Sequence, residues 1–569
     1  MVILGLSGYI FDRILVKPCH DSSVTLIVDN ELRTSIQEER LTRVKHTGLY
    51  PFLSIDHILE YNNLKRDDID VVSYTGLSLL PGIMPRKELN YAYKSMIQRK
   101  FPNSEIHLVD HHEAHAFSAI GTTPHRRGNF LTWDNMGDYY AVANGIIYGN
   151  NFSFGVFDKD TKIFHKYYNN ICCDWFNLGD VYNALSHLTY GMYRESVDTN
   201  YEHDPSYFFQ EENLEGKMMG AAAYGNHKNI QESELFQLIQ HNKNDFPVLM
   251  CTSERKYLFK KLHNKHNYFD IAAYMQHIFS KYFMQTLEHI PKFMLEDVLC
   301  FSGGCALNIN TNSQIADKKI WQDIYIPPAP TDAGHSLGSA MKVCFDKGIE
   351  VKIPYNVGCI GFHYPKEYIK NLLHNNKDLH NCRIWCEEDF NNIVNFVVES
   401  LVENRVVAWF QDKSEFGPRA LGNRSILANP SIDNKDYLNN KVKFREFFRP
   451  YAGVILERFL HEVLHISVDK SPYMMFSGIV KESYRTKIPA ITHYDNTCRI
   501  QTVTEQDNYK LNLLLEKFYE KTNIPCLLNT SFNTIPGEPI VETPHHAIAS
   551  FLHSNVDILI LENFIIIKN

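Results

Sequence analysis

The sequence lacks the features that mark membrane-bound, secreted or repeat proteins. No apolar run reaches the roughly 20 residues that a membrane-spanning helix needs. The amino terminus, MVILGLSGYIFDR, has neither the basic segment nor the long apolar stretch of a secretory signal. The chain contains no internal repeat and no low-complexity tract. We therefore expect a globular protein of the cytoplasm with no membrane partner.

A Cys-x-x-Cys pair and an excess of positive charge are also missing. The 12 cysteines are scattered through 569 residues without a Cys-x-x-Cys pair, so buried free thiols are expected rather than a disulfide scaffold. The formal net charge of −9 argues against broad electrostatic binding to duplex nucleic acid. Apolar residues make up 44% of the chain and charged residues 22%, the usual balance of a globular protein of roughly two to four domains.

The order of the predicted elements indicates an α/β fold. Three strands open the chain as a meander, in MVILGLSGY, SSVTLIVDN and ELRTSIQEER, with Asp29-Asn30 as the tight turn between the last two. Helical and strand patterns then alternate, as they do after a similar opening in nucleotide-binding domains of the actin and sugar-kinase type. A turn-rich stretch around residues 345–365 ends the first pattern. We predict one domain over residues 1–355 and a second α/β domain over residues 356–569.

A cluster of histidines in HLVDHHEAHAFSAIG (107–121) is the first candidate site. On a helix, His111 and His115 share one face and Glu113 points to the other, which excludes the His-Glu-x-x-His arrangement of zinc proteases. Such a pair alone is more often a core or surface pair than a ligand pair. Asp134, which ends the strand FLTWD, and Asp332, in PPAPTDAGHS, favour a metal site, although Asp332 could instead cap a helix. Two imidazoles and two carboxylates suit Fe(II), Mn or Zn.

Glycines supply the second candidate site. FSGGCALN (301–308) places Gly303 and Gly304 between a strand and a predicted helix, where backbone N–H groups can hold a phosphate. GKMMGAAAYG (216–225) adds Lys217 beside further glycines. Neither segment is a Walker A loop or a dinucleotide fingerprint, and glycines at ordinary tight turns are an equal alternative.

The third candidate site is a basic run in the second domain. KSEFGPRALGNRS (413–425) and KVKFREFFRP (441–450) interleave their cations with Gly, Pro, Phe and Leu, which is not the pattern of a solvated helix face. Because guanidinium groups match phosphate oxygens in pairs, we predict a pocket for several phosphates. CLLNTSFN (526–533) offers further polar groups to orient a nucleotide. The residues are Lys413, Arg419, Arg424, Lys443, Arg445 and Arg449, with Asn529, Ser531 and Asn533.

Eight segments along nearly the whole chain carry a resemblance to a known family. They are HDSSVTLIVD, EERLTRVKH, HHEAHAFSA, GKMMGAAAYG, SGGCALN, PPAPTDAGHSLG, GPRALGNRSILA and CLLNTSFNTIPGEPIV. In this order they resemble the O-carbamoyltransferases of the nodulation-factor and antibiotic-tailoring type. In that family the first domain is similar to the threonylcarbamoyl-transferring enzyme of tRNA modification, and the second to threonylcarbamoyl-adenylate synthase.

The resemblance implies a reaction in two steps, with ATP and carbamoyl phosphate as substrates. The second domain would form carbamoyl-adenylate, with Arg419, Arg424 and Lys443 as its implied catalytic residues. The first domain would pass the carbamoyl group to an acceptor hydroxyl. A divalent metal, iron in the first place, is implied in the first domain, with Mg²⁺ as a further candidate cofactor and a homodimer as a candidate assembly. The implied metal ligands are His111, His115, Asp134 and Asp332. The implied nucleotide contacts in the first domain are Lys45, Lys217, Gly220, Gly303, Gly304 and Asn308.

The resemblance places the binding of the acceptor near the segment HDSS (20–23). His20 and Asp21 match the family's motif there and are candidates for the base that an alcohol nucleophile needs; a simple hairpin turn is the alternative for both residues. The acceptor itself is open between a sugar and a hydroxymethyl-pyrimidine nucleotide. The segment YIFDRILVKPC (9–19) precedes His20 and is expected to border the acceptor. A small-molecule kinase of the actin-like fold is the main rival function.

Overall fold

The computed structural model describes residues 1–8, 20–75, 86–134, 139–143, 146–173, 178–197, 214–231, 239–241, 247–249 and 265–568. The segment YIFDRILVKPC lies outside the described residues. Three larger sheets and one short hairpin are present in the described ranges, which confirms the α/β prediction. None of the helices described is long and apolar enough to cross a membrane.

The first sheet has five strands in the order β3-β2-β1-β4-β5. β1, β2 and β3 form the predicted antiparallel meander, and β4 and β5 add to β1 in parallel. Asp29 and Asn30 both have left-handed backbone, as the tight turn between β2 and β3 requires. The strands are β1 Val2–Ser7, β2 Ser23–Val28, β3 Glu31–Gln37, β4 Val71–Thr75 and β5 Glu105–Leu108.

The second sheet has six strands, in the order β13-β12-β6-β8-β7 with β9 also paired to β8. β12 lies parallel to both β6 and β13, whereas β8 pairs antiparallel with β6. The strands are β6 Arg127–Trp133, β7 Tyr139–Ala143, β8 Ile146–Asp158, β9 Ile163–Cys173, the separate hairpin β10 Ile239–His241 and β11 Pro247–Leu249, then β12 Val298–Ser302 and β13 Asp323–Tyr325.

The third sheet has ten strands in the order β14-β23-β22-β15-β16-β21-β17-β20-β19-β18. Most of its neighbours are antiparallel, and the pairs β15–β22 and β17–β20 are parallel. The strands are β14 Cys382–Cys386, β15 Val407–Phe410, β16 Arg424–Ala428, β17 Ala452–Leu456, β18 Leu464–His465, β19 Phe476–Val480, β20 Thr497–Val503, β21 Cys526–Ser531, β22 Ile558–Leu561 and β23 Phe564–Lys568.

Helices cover the faces of these sheets. The helical patterns of HHEAHAFSAI and YFDIAAYMQHIFSKYFMQTLEHI are confirmed; the first helix has the bounds of its pattern and the second ends two residues earlier, at Glu288. The longer helices are Phe52–Tyr61, Arg86–Lys100, His111–Ile120, Leu178–Val197, Leu214–Ala222, Tyr268–Glu288, Ile309–Lys318, His335–Asp346, Lys366–Asn375, Phe390–Val402, Tyr509–Thr522 and Pro544–Leu552. The shorter ones are Glu39–Thr42, Lys435–Tyr437, Leu460–Val463, Glu482–Arg485 and the π-helical turn Leu438–Lys443.

Glycines let one helix pack closely between the first two sheets. The helix His335–Asp346 touches β1 and the helix His111–Ile120. A Cβ on Gly338 would lie 1.7 Å from the Ala114 carbonyl oxygen, and one on Gly5 would lie 2.0 Å from the Ser336 carbonyl oxygen. Only hydrogen atoms fit at these two crossings. The close approach brings the amino-terminal ends of the two helices together, where the histidine cluster lies.

The two predicted domains share an interface that is largely buried. Gly417 donates its N–H to Gln37 Oε1 at 3.1 Å and accepts from the Arg40 guanidinium at 2.6 Å. Arg43 donates to the carbonyl oxygens of Pro539 and Ile540, both at 2.8 Å. The segment that ends β3 and continues to Arg43 therefore holds two loops of the third sheet.

We predict that Gly417 cannot be replaced without loss of stability. Its φ of +122° disfavours any side chain, and a Cβ would lie 2.3 Å from the Pro328 carbonyl oxygen. Gly417→Ala is expected to lower the free energy of unfolding by about 3 kcal/mol, at the upper end of the cost of such strain, measured by urea denaturation. Gly348→Ala is the matched control, because its φ is also positive, at +70°, but no atom lies within 4 Å of the new Cβ. Equal effects of the two substitutions would contradict the role of the Pro328 contact.

Candidate active sites

The register of two parallel strands builds the first site. Ser302 at the end of β12 lies opposite Thr132 near the end of β6, so the residues that follow both strands meet at one sheet edge. The Gly304 N–H donates to Asp134 Oδ1 at 2.9 Å. Gly303 has a φ of +96°, and a Cβ there would lie 2.3 Å from the Trp133 carbonyl oxygen. Gly303 is therefore required by the turn that brings Gly304 to the carboxylate.

Two histidines of one helix face this carboxylate. Asp134 Oδ2 lies 2.9 Å from His111 Nε2 and 3.1 Å from His115 Nε2. Asp332 Oδ1 lies 3.7 and 3.4 Å from the same two nitrogens. The structure shows no helix-capping bond from the Asp332 side chain, so its alternative assignment as a cap is wrong. Glu113 points away and pairs with Lys166 at 3.0 Å.

A third imidazole, that of His335, completes the cluster and was missed from the sequence. Its Nε2 lies 3.7 Å from Asp332 Oδ1, and it is buried without a hydrogen-bond partner. Burial and the neighbouring His115 and His111 hold the pKa of His335 well below its usual value, so the ring stays neutral with a lone pair to offer. The signal was available in TDAGH, where residues three apart share a helix face.

These residues fit a divalent metal ion. Donor atoms of His111, His115, Asp332 and His335 lie within 4.8 Å of one another, and all four residues are buried. The orphaned Nε2 of His335 is the observation that a hydrogen-bonded core cluster would not explain. Imidazole and carboxylate donors together suit first-row metals such as Fe(II), Mn or Zn.

His20 and Asp21 lie between this cluster and the solvent. His20 is 55% exposed at its side chain, and its Nδ1 lies 3.0 Å from Asp21 Oδ2. Against the opposing effect of burial, the carboxylates of Asp332 and Asp21 raise the pKa of His20. Asp21 has left-handed backbone, with φ +62°, so a turn is present as well as the buried contact.

A groove extends the glycine site along two helices. Its volume is about 590 Å³, and it runs between the helices Tyr268–Glu288 and Ile309–Lys318. Asn308 begins the second helix by accepting the Thr311 N–H, and it also exchanges hydrogen bonds with Gln276. Gln276 lines the groove, so this bond connects the groove to the Gly303–Asn308 turn.

Strand register also builds the basic site. β16, β21, β17 and β20 are neighbours at the centre of the third sheet. Ser531 lies opposite Ser425, Asn529 opposite Ala452, and Ile500 opposite Gly453. The loops before β16 and β17 therefore meet the end of β21 and the first half of β20 at one place. This brings together cations that are far apart in the sequence.

Arg499 of β20 belongs to this cluster and was missed from the sequence. Burial and the guanidinium groups of Arg419, Arg445 and Arg449 lower the pKa of Arg499 well below its usual value. Burial followed by Arg449 lowers the pKa of Arg419 to about 10. Nε of Arg419 and Nε of Arg499 are buried without hydrogen-bond partners. No sequence motif marked Arg499, because it stands alone in TCRIQTV, apart from the other basic residues.

Lys443 is held rigidly at the end of β21. Its Nζ donates to the carbonyl oxygens of Ser531 at 2.7 Å and Asn533 at 2.6 Å. Burial, then Arg445, Arg449 and Lys45, lower the pKa of Lys443 well below its usual value, so Lys45 of the first predicted domain lies near this ammonium. The Asn529 side chain is fully buried, and its Oδ1 has no hydrogen-bond partner.

Two predicted residues lie apart from the cluster. Arg424 is fully buried and donates to backbone carbonyl oxygens, including those of Gln411 at 2.7 Å and Phe362 at 3.1 Å. Its guanidinium also stacks on Phe410, 3.5 Å from the ring centre. These contacts assign Arg424 a structural role in place of the predicted catalytic one. The charged neighbour of Lys413 is Arg33 of β3.

Lys217 and Gly220 join the glycine segment to the basic segment. Lys217 Nζ lies 3.1 Å from Glu446 Oε1 and donates to the Tyr190 hydroxyl at 3.0 Å. A Cβ on Gly220 would lie 3.1 Å from Pro450 Cδ. The helix Leu214–Ala222 thus packs directly on the loop that carries Arg445 and Arg449.

Two family models match the chain. Residues 75–341 match the carbamoyltransferase N-terminus, and residues 398–568 match the carbamoyltransferase C-terminus. The nodulation protein NolNO of Sinorhizobium fredii is 29% identical over 614 aligned residues, which cover 100% of this chain and 83% of the relative. A nodulation protein U of Azorhizobium caulinodans is 32% identical over 272 residues, which cover 47% of this chain and 45% of the relative.

Solved structures with a similar arrangement are more distant. The activator of 2-hydroxyisocaproyl-CoA dehydratase from Clostridium difficile is 12% identical, with a TM-score of 0.34 over 61% of this chain and 96% of that one. HypF in its phosphate- and nucleotide-bound form is 16% identical, with a TM-score of 0.32 over 62% and 56% of the two chains. The two family models together span most of the sequence and both sites described above, and the chain belongs to the carbamoyltransferase family of enzymes.

Proposed function

We propose that the protein is an O-carbamoyltransferase that forms carbamoyl-adenylate in the third sheet and transfers the carbamoyl group at the histidine cluster. The observation that carries this proposal is the group of Arg419, Lys443, Arg445, Arg449 and Arg499, in which Lys443 is buried, the arginines are partly buried and the members repel one another. Such a cluster is stabilised when a polyanion enters it. ATP and carbamoyl phosphate together supply that charge.

The first step joins the carbamoyl group to AMP. Carbamoyl phosphate, ATP and one water give carbamoyl-adenylate, pyrophosphate and phosphate. Water first cleaves the bond between the carbamoyl group and the phosphate of carbamoyl phosphate, which gives carbamate and releases phosphate. A carbamate oxygen then forms a bond to the α-phosphorus of ATP, the bond between that phosphorus and the oxygen bridging to the β-phosphorus breaks, and pyrophosphate leaves. The guanidinium groups neutralise the charge that develops on the phosphates. Lys443 is oriented at the end of β21 by its two carbonyl contacts.

The second step transfers the carbamoyl group to an alcohol. The groove lined by Gln276 has the size for a nucleoside. Gln276 is hydrogen-bonded to Asn308, which follows the Gly303–Gly304 turn beside Asp134. His111, His115, Asp332, His335 and Asp134 would hold a divalent metal, which would supply positive charge to offset the two carboxylates and Lewis acidity toward the carbamoyl carbonyl. His20 lies on the solvent side of that cluster, where an acceptor enters, and removes the proton of its hydroxyl group.

The acceptor is a hydroxyl-bearing small molecule. We propose a sugar or a hydroxymethyl-pyrimidine nucleotide. The half-exposed His20 supports an acceptor that arrives from solvent rather than from within the protein.

The adenylating step predicts a specific product. Incubation with ATP and carbamoyl phosphate, without an acceptor, should release pyrophosphate in a carbamoyl-phosphate-dependent manner. We expect Arg499→Met to lower kcat/KM for this reaction by about 10- to 100-fold, since a hydrogen bond to a charged group contributes about 1.5–3 kcal/mol. Lys413→Met is the matched control and should stay within about twofold, the scale of a surface substitution. Formation of ADP in place of pyrophosphate would support the rival kinase function.

His335 should contribute to metal affinity. We expect His335→Ala to weaken Co²⁺ binding by more than about 100-fold, because even partners outside the ligand set contribute 10- to 100-fold. The measurement is a titration followed by the visible absorption of Co²⁺, which does not depend on activity. His112→Asn is the control, because His112 is equally buried and its Nδ1 contacts Ser153 Oγ at 3.0 Å instead of the cluster. Unchanged affinity in His335→Ala would remove His335 from the site.

A further inference from the structure

We propose that His46 is a positioning residue for carbamoyl transfer, which acts by holding the Asp21 carboxylate against the ring of His20. The inference rests on the proposed function, because it assigns His20 as the base. Asp21 is shared between two imidazoles. Its Oδ2 lies 3.0 Å from His20 Nδ1, and its Oδ1 lies 2.6 Å from His46 Nδ1.

The backbone on both sides of this contact is strained. Asp21 has a φ of +62° and His46 a φ of +56°, a left-handed conformation that costs about 1–2 kcal/mol in residues with a side chain. The two residues are 25 positions apart, yet their side chains meet. Strain of this kind persists where the surrounding structure enforces a particular geometry, and it concentrates at functional sites.

The surroundings fix His46 from the other side. Its backbone N–H donates to Glu39 Oε2 at 2.9 Å. Arg43, three residues before it, is bound to the loop of Pro539 and Ile540. His46 is therefore held by Glu39 and by the nearby anchored Arg43, and it holds the Asp21 carboxylate in place in turn.

The geometry specifies what the His46–Asp21 contact does in the reaction. A carboxylate that accepts from Nδ1 of an imidazole fixes the tautomer in which Nε2 carries the lone pair. His20 Nε2 then accepts the proton of the acceptor hydroxyl. The hydroxyl oxygen forms a bond to the carbamoyl carbon, the bond from that carbon to the AMP phosphate oxygen breaks, and AMP leaves. His46 touches neither substrate nor His20 directly through a hydrogen bond, so it acts only through Asp21.

A bound cation is the competing explanation, since donor atoms of Asp21, Glu39 and His46 lie within 4.8 Å of one another. Two observations favour hydrogen bonding instead. The guanidinium of Arg40 lies 3.6 Å from Glu39 Oε1, so a positive charge is already present beside these three residues. The contact between His46 and Asp21 is a short hydrogen bond that uses the imidazole nitrogen nearest the carboxylate.

Two variants of His46 separate its backbone from its side chain. His46→Gly adopts left-handed backbone without strain but lacks a donor. His46→Asn tolerates that backbone and places its amide nitrogen where Nδ1 stood. The assay uses the full chain with ATP, carbamoyl phosphate and molar ethylene glycol as the probe acceptor, water being the competing acceptor. The first-turnover burst of pyrophosphate reports adenylation, and the later release of AMP reports transfer to either acceptor.

We expect the pyrophosphate burst to be unchanged in both variants. AMP release should fall by about 100-fold in His46→Gly, the lower end of the contribution of general base catalysis, and should remain near the wild-type rate in His46→Asn. If His46 only stabilised the fold, His46→Gly would also lose the pyrophosphate burst, and His46→Asn would not restore AMP release. Equal AMP release in the wild-type protein and His46→Gly would overturn the inference, as would an asparagine variant as slow as the glycine variant. If His46→Gly bound one Co²⁺ ion fewer than the wild-type protein, the inference would be wrong and a cation site at Asp21, Glu39 and His46 would take its place.

The same experiment distinguishes the inference from the function on which it rests. A wild-type protein that gives no pyrophosphate burst would defeat the proposed adenylation, and the role of His46 with it. A normal burst followed by variant-independent AMP release would defeat the role of His46 alone.

Discussion

The buried guanidinium of Arg40 fixes a loop of the third sheet against the first predicted domain. It is 1% exposed and donates to the Gly417 carbonyl oxygen at 2.6 Å. A buried charge is costly unless opposite charges lie near it, and the carboxylates of Glu39, Glu415 and Glu542 surround it. Because Gly417 begins the turn that presents Arg419, the position of the basic cluster depends on a residue of the helix Glu39–Thr42, which follows β3. The Gly417–Pro328 contact extends the same dependence to the loop of Asp332.

Sequence periodicity and glycine spacing predicted much of this architecture. The opening meander, the turn at Asp29-Asn30 and the helix His111–Ile120 follow from patterns confined to a few adjacent residues. His111, His115, Asp134 and Asp332 were expected together from the resemblance, and the register of β6 with β12 shows why Asp134 reaches Gly304.

What the sequence could not predict depends on contacts between distant residues. Arg499 joins the cations only because β20 pairs with β17. Arg424 was assigned to them because a motif identifies residue types but not depth, and its partners are carbonyl oxygens of the core. The pair of Asp21 and His46 requires left-handed backbone at two positions 25 residues apart, for which no local pattern exists.

The buried cores have a consequence for how such proteins change over evolution. One continuous apolar cluster contains Leu6 and Val72 of the first sheet together with Phe410 and Leu561 of the third. A second cluster contains Phe130 and Ala333 together with Phe416 and Met475. If recombination between relatives exchanged only the first or only the second predicted domain, the apolar surfaces in both clusters would no longer match. We therefore expect the first and third sheets to be inherited as one unit, while variation accumulates in surface loops.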